Sequence, residues 1–212
     1  MTDRSAGGPV AAIVLAAGRG SRFGPDPKLL ARLDGMPLVR HAVEAATAAG
    51  CAPVLAVVGH RAAEIGAALA GTGARLVPSP DHALGLSASL RAGFAALPAG
   101  CAGAAILLGD MPRVTGGIVR TLIAGWRAAG CPDAAIPVRA GRRGNPVLLS
   151  ARLGPEIAAL RGDTGAAALL RDRPGVLEVP VDDGAVFLDV DTPDALAAAQ
   201  AEASTTPSRI AE

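Results

Sequence analysis

The 212-residue sequence contains no tyrosine, and with three phenylalanines and one tryptophan it is only 2% aromatic. That poverty removes the stacking platform on which single-stranded nucleic acids are held. A net charge of +1 gives no electrostatic reason to expect a polyanionic partner. Cysteine is also scarce. Cys51, Cys101 and Cys131 lie far apart and form no C-x-x-C pair, which disfavours a disulfide framework or a zinc site and leaves small buried residues or lone thiols. No apolar run reaches about 18 residues, the length of a spanning helix. The opening "MTDRSAGGPV" lacks a secretory apolar core. The expectation is a soluble cytoplasmic protein with neither a membrane nor a nucleic acid as partner. One scarcity excludes nothing but raises a question: of the 20 Lys plus Arg, only Lys28 is a lysine.

What is present suits one substantial core. Hydrophobic residues make up 50% of the chain and charged residues 18%, a globular rather than a disordered balance. "VAAIVLAA" (10–17) is a short apolar run ended by glycine, as a strand buried on both faces should be. A helical stretch follows at 37–50, with Gly50 as its stop. Strand and helix then alternate: strand 53–59, helix 61–71, strand 74–79, helix 87–97 with Ser87 as N-cap, strand 102–110, helix 115–130, strand 133–139. After residue 139 come two short strands, "NPVLLS" and "GVLEVPV", around small helices, and then a terminal helix at "DALAAAQAEA". Such alternation with short connections implies right-handed crossovers. The expected fold is α/β, a single three-layer α/β/α domain over residues 1–202 with a mostly parallel, Rossmann-like sheet, followed by a flexible tail at 203–212.

A sheet of this kind binds ligands beyond the carboxyl ends of its strands. Three segments sit there: Gly18 to Lys28, "GDMP" (109–112) and "FLDVDTP" (187–193). The first, "GRGSRFGPDPK", fits neither of two familiar phosphate loops. Its glycines run G-x-G-x-x-x-G, and the second strand ends in "VVGH" without the carboxylate of a dinucleotide fingerprint. A P-loop has Lys directly after its last Gly, followed by Ser or Thr, whereas Lys28 comes four residues after Gly24 and precedes Leu29. A loop wrapped around a nucleoside triphosphate remains, against the bland alternative of a solvated basic turn. Gly18 and Gly20 let backbone N–H groups approach phosphates. Arg22 offers a planar fork, and Lys28 a compact movable charge.

"LAAGRGSRFGPDPK" resembles the opening signature of the sugar-phosphate and molybdenum-cofactor nucleotidyltransferases. "LLGDMP", "GRRGNPVLL", "LRGDTGAAALL" and "DVDTPDAL" follow in the order seen in the molybdenum-cofactor cytidylyltransferases. The resemblance runs from about residue 11 to residue 200. Its branch rests on Ala17 in place of Gly, on R-R-G-x-P and on G-D-x-G-A. It implies the nucleotide-diphospho-sugar transferase type of fold and an Mg²⁺-dependent enzyme, with Mn²⁺ as a substitute. That enzyme would transfer CMP from CTP to a phosphorylated pterin acceptor, with a molybdoenzyme as the recipient of the product. An acceptor phosphate is already nucleophilic, so the reaction needs charge neutralisation and in-line positioning rather than a Ser–His pair; His41, His60 and His82 follow no catalytic spacing.

By the same resemblance Lys28, Arg22 and Asp110 are the catalytic candidates, and Leu15, Ala16, Ala17, Gly18, Gly20, Arg22, Lys28, Asp81 and Asp110 the nucleotide-binding ones. Asp110, at the tip of an apolar strand, and Asp189 are the metal candidates. Alternation puts Asp189 and Asp191 on one face with Val190 opposite; Asp191 reads equally well as the cap of the last helix. Arg143, Asn145 and Asp163 are the acceptor candidates. Asn145, the only asparagine, stands where the family usually has histidine, and Asp163 has a helix-cap alternative. Other readings stay open: a GTP-dependent or sugar-phosphate transferase, a non-catalytic cofactor chaperone, or an NAD(P)-dependent oxidoreductase on the same frame.

Overall fold

The computed structural model describes residues 7–24 and 27–205. Residues 206–212 of the expected tail, the first six residues, and Pro25 and Asp26 lie outside the described residues. β1 (Val10–Ala16) is buried along its whole length. A small hairpin, β2 (Arg32–Leu33) and β3 (Met36–Pro37), leads into α1 (Leu38–Ala48). Then come β4 (Val54–Val58), α2 (Ala62–Ala68), β5 (Arg75–Pro78), α3 (Leu86–Ala95), β6 (Gly103–Leu108) and α4 (Gly116–Ala128). The remainder is β7 (Ala134–Arg139), β8 (Arg142–Arg143), β9 (Val147–Ser150), α5 (Gly154–Ala159), α6 (Ala166–Leu170), β10 (Leu177–Pro180) and α7 (Pro193–Thr205). The last helix thus reaches past residue 203, where the tail was expected to begin.

The main sheet has the order β10-β7-β9-β6-β1-β4-β5, with β8 paired to β7. β1 runs parallel to both β4 and β6, and β5 parallel to β4. β9 is antiparallel to both β6 and β7, so the sheet is mostly parallel with one reversed strand inside it. Alternation along β1 builds both faces. Ala12, Val14 and Ala16 join one core with residues of α1, α2 and α4, while Ala11, Ile13 and Leu15 join the other with α3, α5 and α6. Three layers result, as the pattern of buried runs implied. No helix among the described residues is long and apolar enough to cross a membrane.

Helix ends follow the sequence in one case and not in another. Gly50, with φ 81°, ends α1 while its N–H bonds Thr47 O at 2.9 Å and Cys51 N–H bonds Ala46 O at 3.1 Å. Ser87 is not the N-cap of α3: the helix starts one residue earlier, behind Gly85, and Ser87 is buried in its first turn. The hairpin was hidden in sequence. Asp34 and Gly35 both have positive φ, 51° and 79°, the requirement of a tight two-residue turn. It matters because Leu33 and Leu38 pack with Phe23 and Val190 in a small separate cluster. That cluster ties the loop after β1 to the segment before α7.

Candidate active site

β1 lies between β4 and β6, and the chain first builds outward through β4 and β5 before crossing back to β6. The carboxyl ends of β1 and β6 therefore flank the switch in strand order, where open α/β sheets take their ligands. Gly109 N–H bonds Leu15 O at 3.1 Å and holds the two ends together. Beyond β1 the chain turns at Gly20, whose φ of 62° is left-handed. A Cβ there would stand 2.9 Å from Lys28 Cβ. Both conformation and space demand glycine at this point. Phe23 N–H then bonds Gly20 O at 2.9 Å, and Phe23 anchors the loop in the cluster with Val190.

The sole lysine is buried, at 9% exposure. Its Nζ donates to Asp110 Oδ2 at 2.6 Å and to Asp191 Oδ1 at 2.7 Å. Arg22 pairs with the other oxygen of Asp191 at 2.7 Å. Val190 N–H bonds Asp110 O at 2.8 Å, so the backbone fixes the two aspartate segments against each other. Asp110 Oδ1 is buried and has no hydrogen-bond partner among the described residues, although buried carboxylate oxygens are ordinarily satisfied. Burial of Lys28 works to lower its pKa. The charge of Asp110 and hydrogen bonds to both aspartates outweigh that, and the net shift is upward. The hydrogen bond from Lys28 holds the Asp191 carboxyl below the usual range, helped by the charges of Lys28 and Arg22 against a smaller opposing effect of burial. Both shifts favour the charged forms of Lys28 and Asp191.

One cavity opens onto this cluster, and a second lies beside it across Leu108. The larger, about 440 Å³, is lined by Leu15, Ala17, Gly18, Gly20, Lys28, Asp110 and Asp163 of the candidates. Ala16 faces the opposite core, and Arg22 is turned onto Asp191. Asp81 is exposed and lies outside the lining, whereas its neighbours His82 and Ala83 are part of it. The smaller cavity, about 230 Å³, is lined by Arg142, Arg143, Asn145, Phe187 and Asp189. Leu108, the last residue of β6, borders both.

The acceptor candidates are thus divided. Arg143 and Asn145 share the smaller cavity, but Asp163 belongs to the larger one, close to Gly85, where a Cβ would meet its Oδ1 at 2.6 Å. Asp163 does not cap a helix either, since Gly165 precedes α6 and no side chain caps it. Of the pair in "DVDTP", both carboxylates do leave the core while Val190 is buried. It is Asp191 that meets Lys28, and Asp189 borders the smaller cavity. The cap of α7 is Thr192, whose Oγ1 accepts from Ala195 N–H at 3.1 Å. Sequence reasoning missed His82, held by its Nδ1 to Ser79 O at 3.0 Å, and Arg142, whose guanidinium lies 4.6 Å over the Phe187 ring. Only the doubled arginine of "GRRGNP" signalled the second of these.

A match to the MobA-like NTP transferase domain spans residues 12–179. The nicotine blue oxidoreductase of Paenarthrobacter nicotinovorans is 32% identical over 189 residues, covering 86% of this chain and 92% of that protein. The bifunctional protein GlmU of Leifsonia xyli subsp. xyli is 39% identical over 136 residues, or 61% of this chain, which spans only 26% of GlmU. Among solved structures, Rv0371c of Mycobacterium tuberculosis H37Rv superposes with a TM-score of 0.80 at 30% identity, covering 92% of this chain and 98% of that one. The same protein in complex with manganese gives 0.78 at 29% identity, covering 91% and 98%.

Proposed function

Because the chain belongs to the MobA-like NTP transferase domain family, we propose that it is a divalent-cation-dependent nucleotidyltransferase that moves CMP from CTP to a molybdopterin-type phosphate and releases pyrophosphate. One observation carries the reading: a buried lysine between two aspartates, one with an unpartnered oxygen, on the wall of the larger cavity. The larger cavity is of mononucleotide size. Gly18 and Gly20 bring backbone amides to its edge, and Lys28 supplies the charge for the phosphates. The orphaned Asp110 Oδ1 fits a metal ligand, since a carboxylate oxygen buried without a donor is satisfied by a cation. Asp110 and Asp191 would hold the ion, with Asp189 close by. When bound, a divalent cation neutralises phosphate charge and acts as a Lewis acid. The chain's own residues do the rest. They hold the acceptor phosphate on one side of the cluster and the nucleotide on the other, so that an acceptor oxygen bonds to the α-phosphorus while the bond to the pyrophosphate oxygen breaks.

The smaller cavity suits the acceptor. Arg143 is engaged with Glu178 Oε1 at 2.9 Å and Leu170 O at 3.1 Å, so Arg142, stacked on Phe187, is the arginine that would meet an anionic or planar group there. The resemblance to the cytidylyltransferase branch, which rests in part on Ala17, favours CTP as the donor. A thermal-shift panel of CTP, GTP, ATP and UTP with Mg²⁺ tests the reading first. A nucleotide at about 100 times its Kd adds about 2.7 kcal/mol of stability, and each kcal/mol raises Tm by roughly 2–4 °C in a domain of this size. No shift with any of the four would defeat the reading. CTP should then exceed GTP in kcat/KM by at least about tenfold, about 1.4 kcal/mol.

The 32% identity to a nicotine blue oxidoreductase favours a second reading, an oxidoreductase on the same frame. Failure of the dinucleotide glycine spacing opposes it. Pyrophosphate release from CTP supports the first reading, and a nicotinamide absorbance change with candidate substrates supports the second.

A further inference from the structure

We propose that Lys28 occupies the cation's place in the free protein, so that the site takes up its divalent ion together with the nucleotide rather than ahead of it. The inference rests on the nucleotidyltransferase reading and concerns the form in which the substrate is bound.

A single Nζ touches one oxygen of each of two carboxylates, Asp110 and Asp191, from segments 82 and 163 residues away. A compact cation between two carboxylates is also how a divalent ion would be held. The lysine is buried, so water competes poorly for its bonds. Lys28 and Arg22 stand against Asp110 and Asp191, with Asp189 beside Asp191. A dication arriving alone must displace the ammonium, and it leaves the cluster with an excess of positive charge at short range. A triphosphate removes that excess and gives the displaced ammonium a new partner, which its flexible four-carbon stem can reach. The unpartnered Asp110 Oδ1 shows that lysine serves the carboxylate only in part. Cation and nucleotide then each improve the other's binding, by the same factor.

The test is a titration of Mn²⁺ alone, followed by the paramagnetic resonance signal of the free ion, on proteins whose fold is checked by circular dichroism. Lys28→Met and Lys28→Gln vacate the position between the carboxylates. Each should bind Mn²⁺ at least about tenfold more tightly than the parent, and adding Asp110→Asn should remove the gain. Arg22→Gln deletes an equal charge from the same Asp191, but its side chain is 76% exposed and leaves Lys28 in place; it should change affinity by less than about threefold. Lysine variants no tighter than the parent would overturn the inference. So would an Arg22→Gln effect equal to theirs, which would mean general charge rather than occupancy. A lysine variant that stays unfolded even with Mn²⁺ also counts against it, because a vacated site should be restored by the ion it accommodates. CTP-dependent pyrophosphate release by the parent separates the two failures. If release occurs and the lysine variants bind no tighter, this inference falls alone; if CTP is neither bound nor turned over, the nucleotidyltransferase reading falls with it.

Discussion

Stability at alkaline pH should be governed by one thiol. The chain has no tyrosine and one lysine, so between pH 8 and 10 its side chains offer little besides cysteine that changes charge. Cys51 follows α1 and packs among the residues between α1 and β4. Burial pushes its thiol from an ordinary 9.0 up to about 11. A folded pKa above the unfolded one means that the folded state keeps the proton longer. The contribution is complete below pH 9 and is lost as pH rises toward 11. At pH 10 the unfolded thiol is mostly ionised and the folded one mostly neutral. The difference is about one pH unit of linkage, or roughly 1.4 kcal/mol. Lys28, also raised, has the same sign, but its loss begins only above its ordinary value of 10.5.

The assay is urea unfolding at pH 8 and pH 10 under reducing conditions, followed by the fluorescence of Trp126, the one tryptophan and fully buried. The parent should lose roughly 1.4 kcal/mol between the two pH values. Cys51→Ala should start lower, since it removes a buried sulfur, but should lose much less over the same interval. Burial of Cys101 raises its thiol too, so a residual slope is expected. If Cys51→Ala falls by as much as the parent, burial of this thiol is not what sets the alkaline limit.

Three further outcomes concern the site. Asp110→Asn keeps shape but loses the charge facing Lys28, and turnover should fall by roughly 10²-fold or more while circular dichroism still reports a folded chain; near-normal turnover in that folded variant would remove Asp110 from the chemistry. Lys28→Arg is too broad to follow the charge that gathers on the departing pyrophosphate, and the loss of one charge-assisted bond there, roughly 1.5–3 kcal/mol, predicts a kcat lower by roughly 10- to 150-fold, so a kcat within a factor of two of the parent would show the lysine to be incidental. Gly20→Ala forces a side chain into left-handed geometry, costing roughly 1–2 kcal/mol, and crowds Lys28 Cβ; an unchanged melting temperature would contradict the contact.

The alternation of apolar runs gave away the layers because a strand buried on both faces leaves a continuous apolar run, and each crossover helix repeats its own period. Strand direction carries no such mark. "NPVLLS" reads as a strand whichever way it runs, and only pairing with β6 and β7 reveals β9 as antiparallel. The hairpin before α1 was lost for another reason. Its Asp34–Gly35 turn is a recognisable signal, but the strands beside it are two residues each, and Pro37 merged with the helical run behind it. At the site, a period of two correctly put Asp189 and Asp191 on one side of Val190. Which of them meets Lys28 depends on how the Val190 backbone hangs from Asp110 O, a contact across 80 residues that no local pattern encodes. Asp163 likewise approaches Gly85 only through the packing of α5 on α3.

The single lysine now has a physical account. Arginine serves this chain wherever a cation is exposed or reaches a carbonyl: Arg40 caps Ala70 O, Arg113 reaches Ala199 O, Arg120 reaches Ala48 O. A planar fork that donates in several directions suits such places. Position 28 differs in every respect. Its Cβ lies beneath a glycine that has no room for a methyl group, its charge is buried, and two carboxylates from distant segments converge on one point. A guanidinium spreads its charge over three nitrogens and would straddle that point, whereas an ammonium concentrates it there. The composition is therefore uneven because one cation has a different task from the others. It must match the size of an ion and be able to leave.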